Sequence, residues 1–356
     1  MAADLNLRDS ALLSDDDDLL VYSLEDVKPS SSTFDPTYNR FNINQITDEQ
    51  AKVMFRFTKE QITQMVVALG IPPVYKAADR SIVTGHDGLR MLLRRLVYPN
   101  RLCELDKEFG RPKSVLSAII TTVLEDVYSR FRTKFTGLDA HPWMTIATIR
   151  HFADAVHEKG AALRNCWGFI DSTPRPICRP TVNQRLCFSG HKRVHCLKFQ
   201  SVVAPNGLIV NLYGPVEGRR HDSGMLRMSN LLAELVRVNY RLIDNTPMCL
   251  YGDPAYPIRD QLLAPFRGAV VTDEQRAFNK SMSAVRECVE WQFGKIVLNF
   301  AFLDFKKNLK LYLQPVGKLY MVGALFSNCH TCLNGSVTST YFSVDPPALE
   351  DYLTLQ

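Results

Sequence analysis

The feature that most constrains the fold is a change of period near residue 160. Before it, apolar residues recur at helical spacing; after it, short apolar runs alternate with turns and then with helices. Thr47-Asp48-Glu49-Gln50 has the chemistry of a capping box. A second start at Thr58 leads into Ile62, Met65, Val66 and Leu69, and Gly70-Ile71-Pro72-Pro73 ends that run. Further helices are predicted over Asp87–Val97, Arg101–Phe109 and Arg150–Lys159, and Ser114 is expected to cap another that runs through Val127. A helix, the turn Gly110-Arg111-Pro112-Lys113 and a capped helix make a helix-turn-helix pattern, and Arg111 and Lys113 beside the turn suit a DNA backbone. A plain helical hairpin has the same grammar.

Beyond residue 160, strands are predicted at Trp167–Asp171, Cys196–Val203, Leu208–Tyr213, Met248–Tyr251 and Ala269–Thr272. Pro205-Asn206-Gly207 is the expected hairpin turn. Helices are predicted over Met225–Leu235, Ser281–Phe300 and Pro315–Cys332. Antiparallel strands followed by alternating strands and helices define a mixed α/β domain.

Charge divides the chain differently. Residues 1–35 hold nine acids against two bases, and the rest carries 40 bases against 28 acids. An acidic tail on a basic body fits a polyanion-binding protein, and equally a solvated tail on a mildly basic surface. No uncharged apolar run is long enough to span a bilayer, and Met1–Ser14 lacks the pattern of a signal peptide, so no membrane partner and a place inside the cell are expected. The nine cysteines have no framework spacing and read as reduced thiols. Cys329 and Cys332 lack a second pair that would close a zinc site.

Two carboxylates share a setting that points to chemistry. Asp171 ends the run Trp167-Gly168-Phe169-Ile170, and Asp253 follows Leu250-Tyr251-Gly252. Acids at strand ends of an α/β sheet face the crevice where ligands bind, and two such acids close together need cations. Magnesium, with its preference for oxygen ligands, suits them. The helix Ser281–Phe300 offers Glu287 and Glu290 as a third acid, with Arg286 placed to pair with Glu290; helical geometry prefers Glu290 only weakly. Asp222, with His221, is either an accessory carboxylate or the N-cap of the next helix, and capping is the favoured reading. Arg175, Arg179, Arg185, Lys192, Arg193, Lys198, Arg219 and Arg220 cluster in sequence around the first aspartate and the strands after it, where several could follow a phosphate backbone.

Five segments in order resemble PIF/Harbinger transposases and their domesticated nuclease relatives. They are Gly168-Phe169-Ile170-Asp171-Ser172-Thr173, Phe188-Ser189-Gly190-His191-Lys192-Arg193, Gly214-Pro215-Val216-Glu217-Gly218-Arg219-Arg220-His221-Asp222-Ser223, Gly252-Asp253-Pro254-Ala255-Tyr256 and Arg286-Glu287-Cys288-Val289-Glu290-Trp291-Gln292-Phe293-Gly294. The second lacks a clean Lys-Gly pair, and the family's Leu-His-Asn near the C-terminus stands here as Asn328-Cys329-His330.

The resemblance implies a ribonuclease H-like mixed sheet flanked by helices, preceded by an all-helical helix-turn-helix region. It implies a catalytic and metal-binding triad of Asp171, Asp253 and Glu290 holding two Mg²⁺ (or Mn²⁺) ions. The expected activity is DNA strand cleavage and strand transfer on double-stranded transposon termini and target. The expected setting is the nucleus, as a homo-oligomer with a Myb/SANT-like accessory protein. A domesticated descendant that binds DNA or a partner without transposing is the alternative. The expected organisation is a disordered acidic tail over 1–40, a helical DNA-binding region over 41–160, a catalytic domain over 161–340 and a C-terminal tail over 341–356.

Overall fold

The computed structural model describes residues 41–268 and 270–355. The acidic segment 1–40 lies outside the described residues.

The first layer is helical. Helices α1 (Asp48–Phe55) and α2 (Lys59–Ala68) both open on capping boxes, Thr47 with Gln50 and Thr58 with Gln61. A hairpin absent from the sequence reading follows, β1 (Val74–Lys76) against β2 (Ile82–Thr84). Next come α3 (Gly85–Val97), α4 (Leu102–Phe109) and α5 (Lys113–Phe131). Gly110, at φ 58°, ends α4 in a left-handed conformation that glycine adopts without strain. Ser114 is not the cap of α5. Pro112 holds that place at φ −56°, the value its ring imposes, so Ser114 falls inside the first turn. Helix α6 (Ile146–Glu158) starts behind the Thr145 cap, earlier than its apolar pattern suggests.

The second layer is a sheet built from β3 (Cys166–Pro176), β5 (Val194–Val203), β6 (Ile209–Glu217), β7 (Cys249–Gly252) and β8 (Leu262–Leu263), with the short α7 (Gln184–Cys187) and β4 (Phe188–Ser189) between β3 and β5. The spatial order is β6-β5-β3-β7-β8. β3, β5 and β6 pair antiparallel, and β7 and β8 add in parallel. This is the ribonuclease H-like arrangement. The helix expected over Met225–Leu235 is two, α8 (Asp222–Met228) and α9 (Leu231–Val238), because Asn230 turns left-handed at φ 58°. The strand expected at Ala269–Thr272 is not found at 270–272, where the chain leads into a helix cap; Ala269 is outside the described residues. The last strand is β8 instead.

Helix α10 (Asp273–Asn299) begins well before Ser281, from a third capping box made by Thr272 and Gln275. It packs against β3, β5 and β7. Helix α11 (Val316–Asn334) is buried nearly all round and bridges the sheet to α5, so one apolar core runs through both layers. Residues 341–355 are packed rather than trailing. After α12 (Val337–Phe342), helix α13 (Leu349–Leu353) buries Tyr352, whose hydroxyl accepts a hydrogen bond from Asn328 Nδ2 at 2.8 Å. The buried Lys134 ammonium donates to the carbonyls of Ala140 and Thr354. Among the described residues no helix is long and apolar enough to cross a membrane.

Candidate active site

Register places the two aspartates. In the parallel pair of β3 and β7, Phe169 faces Tyr251 and Ile170 faces Gly252, so the next residue on each strand is the acid. Gly252 permits the close fit beneath them: a Cβ there would stand 2.7 Å from the Tyr256 ring and 2.9 Å from the Ile170 side chain. Tyr256 is buried against the carboxylates. Burial first, then Asp222, Asp171 and Asp253, push its hydroxyl far above its ordinary range. The Tyr251 and Tyr256 hydroxyls are both buried without a hydrogen-bond partner among the described residues.

Asp171 Oδ1 accepts from the Ser172 backbone N–H at 2.7 Å, and Oδ2 accepts from Arg286 Nη1 at 3.2 Å. Burial nevertheless raises its pKa to about 6, with the Ser172 N–H and Arg286 opposing and Asp253 and Asp222 adding to the rise. Asp253 Oδ1 accepts from the Ala255 N–H at 2.9 Å, and its pKa is also raised, chiefly by burial. Both acids are thus in a place where ionisation is unfavourable without a further cation.

Glu290 reaches the same cleft from α10. Its side chain is 63% exposed, and Oε1 stands 3.8 Å from Arg286 Nη2. Glu287, one turn back, is exposed and does not line the cleft. The pairing of Arg286 with Glu290 follows from helical spacing, whereas its shorter contact with Asp171 is a tertiary one that no local pattern announces. Among the described residues no three acidic, histidine or cysteine side chains form a ready ion cage. The Arg286 fork contacts both Asp171 and Glu290, where such a cage would need them to converge.

The favoured capping role of Asp222 is overturned. It is the first residue of α8, the cap position is His221, and no side-chain cap bond forms. Instead Asp222 Oδ1 accepts from Ser172 Oγ at 2.5 Å and from Lys198 Nζ at 2.5 Å. A partly buried ammonium is a stronger partner for a carboxylate than the N–H groups of a helix end. Asp222 therefore belongs to the cleft, joined to β3 and β5, and His221 lines it too.

The expected DNA-contacting cations divide into three groups. Lys192, Arg219 and Arg220 lie on the cleft and are exposed, with Arg220 Nε bonded to Glu217 at 2.6 Å. Arg175 lines the cleft but is committed inward: it donates to the Tyr320 hydroxyl and the Phe293 carbonyl, each at 3.2 Å, and lies against both rings. Arg193 is exposed beside the cleft without lining it, and Arg111 and Lys113 sit on the α4–α5 turn, away from its walls. The sequence reading missed the Lys198–Asp222–Ser172 cluster. Ser172 and Lys198 lie in partly buried stretches of β3 and β5, but nothing local announced the loop that returns Asp222 to them.

The cleft is open to solvent and has a volume of about 1110 Å³. Its donor set is oxygen-rich and anionic, with two destabilised carboxylates side by side and a third acid at the margin. That set fits a hard divalent cation better than a soft one. Cys329 is buried within α11 and does not line the cleft.

Residues 170–328 match the model of a family described as DDE superfamily endonuclease. The match supports a DDE-type endonuclease domain, and it contains Asp171, Asp253 and Glu290. No curated protein and no solved structure matches the chain.

Proposed function

We propose that the chain is a divalent-metal-dependent DNA endonuclease of the PIF/Harbinger type, which cuts transposon ends and transfers the strand to target DNA. The observation that carries this reading is the parallel register of Ile170 with Gly252, which sets Asp171 and Asp253 side by side on a cation-rimmed cleft. Asp171, Asp253 and Glu290 would hold two Mg²⁺ (or Mn²⁺) ions. When bound, such ions neutralise phosphate charge and supply an activated oxygen nucleophile for in-line displacement.

The protein's own residues prepare that site. Lys192 and Arg219 draw the phosphodiester toward the cleft by charge. Lys198 and Ser172 hold Asp222 in one orientation, so a fourth carboxylate faces the substrate from α8. Arg175 ties β3 to α10 through the Phe293 carbonyl and to α11 through the Tyr320 hydroxyl, which helps keep the helix bearing Glu290 against the strand bearing Asp171. The helical layer of residues 41–160 is assigned to DNA binding or subunit assembly. A Myb/SANT-like protein is its proposed partner, and the nucleus its proposed place of action.

The test is nicking of supercoiled plasmid by the full chain in Mn²⁺ or Mg²⁺. Nicking that disappears in Asp171→Asn and in Asp253→Asn supports the reading. Nicking that survives either substitution, or that needs no divalent ion, overturns it.

A further inference from the structure

We propose that Arg286 is the resident cation of the metal-free site, and that it surrenders Asp171 and Glu290 when a divalent ion enters. This inference rests on the reading above and concerns how that site is kept between catalytic cycles.

The geometry is specific. One guanidinium from α10 reaches across to β3, with Nη1 3.2 Å from Asp171 Oδ2, and along its own helix, with Nη2 3.8 Å from Glu290 Oε1. The Arg286 and Asp171 side chains are only 19% and 15% exposed, so the contact is shielded from water. Two other cations that line the cleft have different anchors, Lys198 on Asp222 and Arg220 on Glu217, and the exposed Arg267 acts on Asp253 rather than on Asp171.

Unlike charges held close in a shielded place stabilise one another, and removing one partner leaves the other exposed to the full cost of burial. Arg286 thus offsets part of the cost of carrying an ionised Asp171 in the folded chain before any metal arrives. The contact takes Asp171 Oδ2, an oxygen an ion needs, and the charge beside Glu290 Oε1 opposes a divalent ion there, since a divalent ion beside a guanidinium is repelled by it. Arginine and ion therefore exclude each other at Asp171 and Glu290. Arg286 also lines the open cleft, so the displaced guanidinium is within the space a DNA phosphate would fill. Its charge passes from a carboxylate to the substrate, in bidentate geometry suited to either.

The test is calorimetric titration of Mn²⁺ into the full metal-free chain and into Arg286→Gln, with melting curves of both. A site blocked by its own side chain binds with an affinity reduced by the fraction of time it is blocked. The variant is expected to bind Mn²⁺ about threefold or more tightly than wild type, while its metal-free form melts at a lower temperature. A merely structural arginine would lower both quantities. Equal or weaker Mn²⁺ binding by Arg286→Gln overturns the inference and leaves the functional reading standing. Absence of Mn²⁺ binding by both forms overturns the two together.

Should Arg286→Gln fail to fold, hydrogen exchange at the Arg286 Nη groups, which make the two contacts, decides the matter in the wild-type chain. Exchange that accelerates on saturation with Mg²⁺ is the expected result. Protection that is unchanged by Mg²⁺ overturns the proposal.

Discussion

The helical layer and the carboxylate cleft follow opposite rules. In α3 and α5 the inward residues are Leu89, Leu92, Leu93, Leu96, Leu116, Ile119 and Val123, all without exposure, and the charged side chains around them make ion pairs, although Arg90 Nε and Arg94 Nη1 are buried without a hydrogen-bond partner among the described residues. Arg94 bonds Glu108, and Arg130 bonds Asp126. In the cleft, acids are sunk where ionisation is unfavourable, two tyrosine hydroxyls are buried without partners among the described residues, and the third acid hangs from an exposed edge. The first region is arranged for stability. The second gives stability up, and that departure marks a site made to receive something.

The contrast can be broken in four places. The largest effect is expected at Asp253→Asn, which should lower DNA nicking by about 10³-fold or more while the melting temperature holds or rises. A variant that unfolds instead would make Asp253 a structural residue. Next, Leu92→Ala on α3 removes a fully buried side chain and should cost roughly 2–5 kcal/mol of stability without changing the affinity for Mn²⁺. Chemical denaturation and metal titration on the same variant check both halves.

The third effect depends on pH. Below its ordinary value of 3.8, Asp171 is protonated in both the folded and the unfolded chain. As pH rises toward about 6, the unfolded chain releases that proton first, so the folded state loses stability across this window and stays lower above it. The loss is on the order of 2–3 kcal/mol at most. Asp171→Asn removes the penalty and also the Arg286 contact. The metal-free variant should therefore gain on wild type between pH 4 and pH 7, judged by denaturant midpoints. A wild-type advantage that grows with pH would show that pairing with Arg286 outweighs burial.

The smallest effect belongs to Arg220→Gln. Its guanidinium is 42% exposed although its partner Glu217 is only 19% exposed, so solvent screens the pair and stability should change by less than about 1 kcal/mol. DNA affinity should fall, and the slope of log affinity against log salt should drop by about one unit. An unchanged slope would take Arg220 off the path of the phosphate backbone.

What could be read from the sequence was what local patterning encodes. The capping boxes at Thr47 and Thr58 announced their helices, and the apolar runs before Asp171 and Asp253 announced paired strands. The same Thr-x-x-Gln signal at Thr272 was present and unread, which is why α10 proved longer than its apolar stripe. Asn230 split one helix into two because a single left-handed residue leaves no trace in periodicity. The third acid's helix and the cleft's cations were visible as residue types. Their long-range pairing was not: Arg286 with Asp171 and Asp222 with Lys198 are contacts across the fold, the first added to the Arg286–Glu290 pair that helical spacing indicated and the second replacing the capping role expected of Asp222.

The central claim is that Asp171 and Asp253 together hold a divalent ion. Electron paramagnetic resonance of Mn²⁺ titrated into the full chain tests it most directly. Wild type should bind Mn²⁺, and Asp171→Asn and Asp253→Asn should each abolish or severely weaken that binding while remaining folded. Mn²⁺ bound with wild-type affinity by either variant would contradict the account.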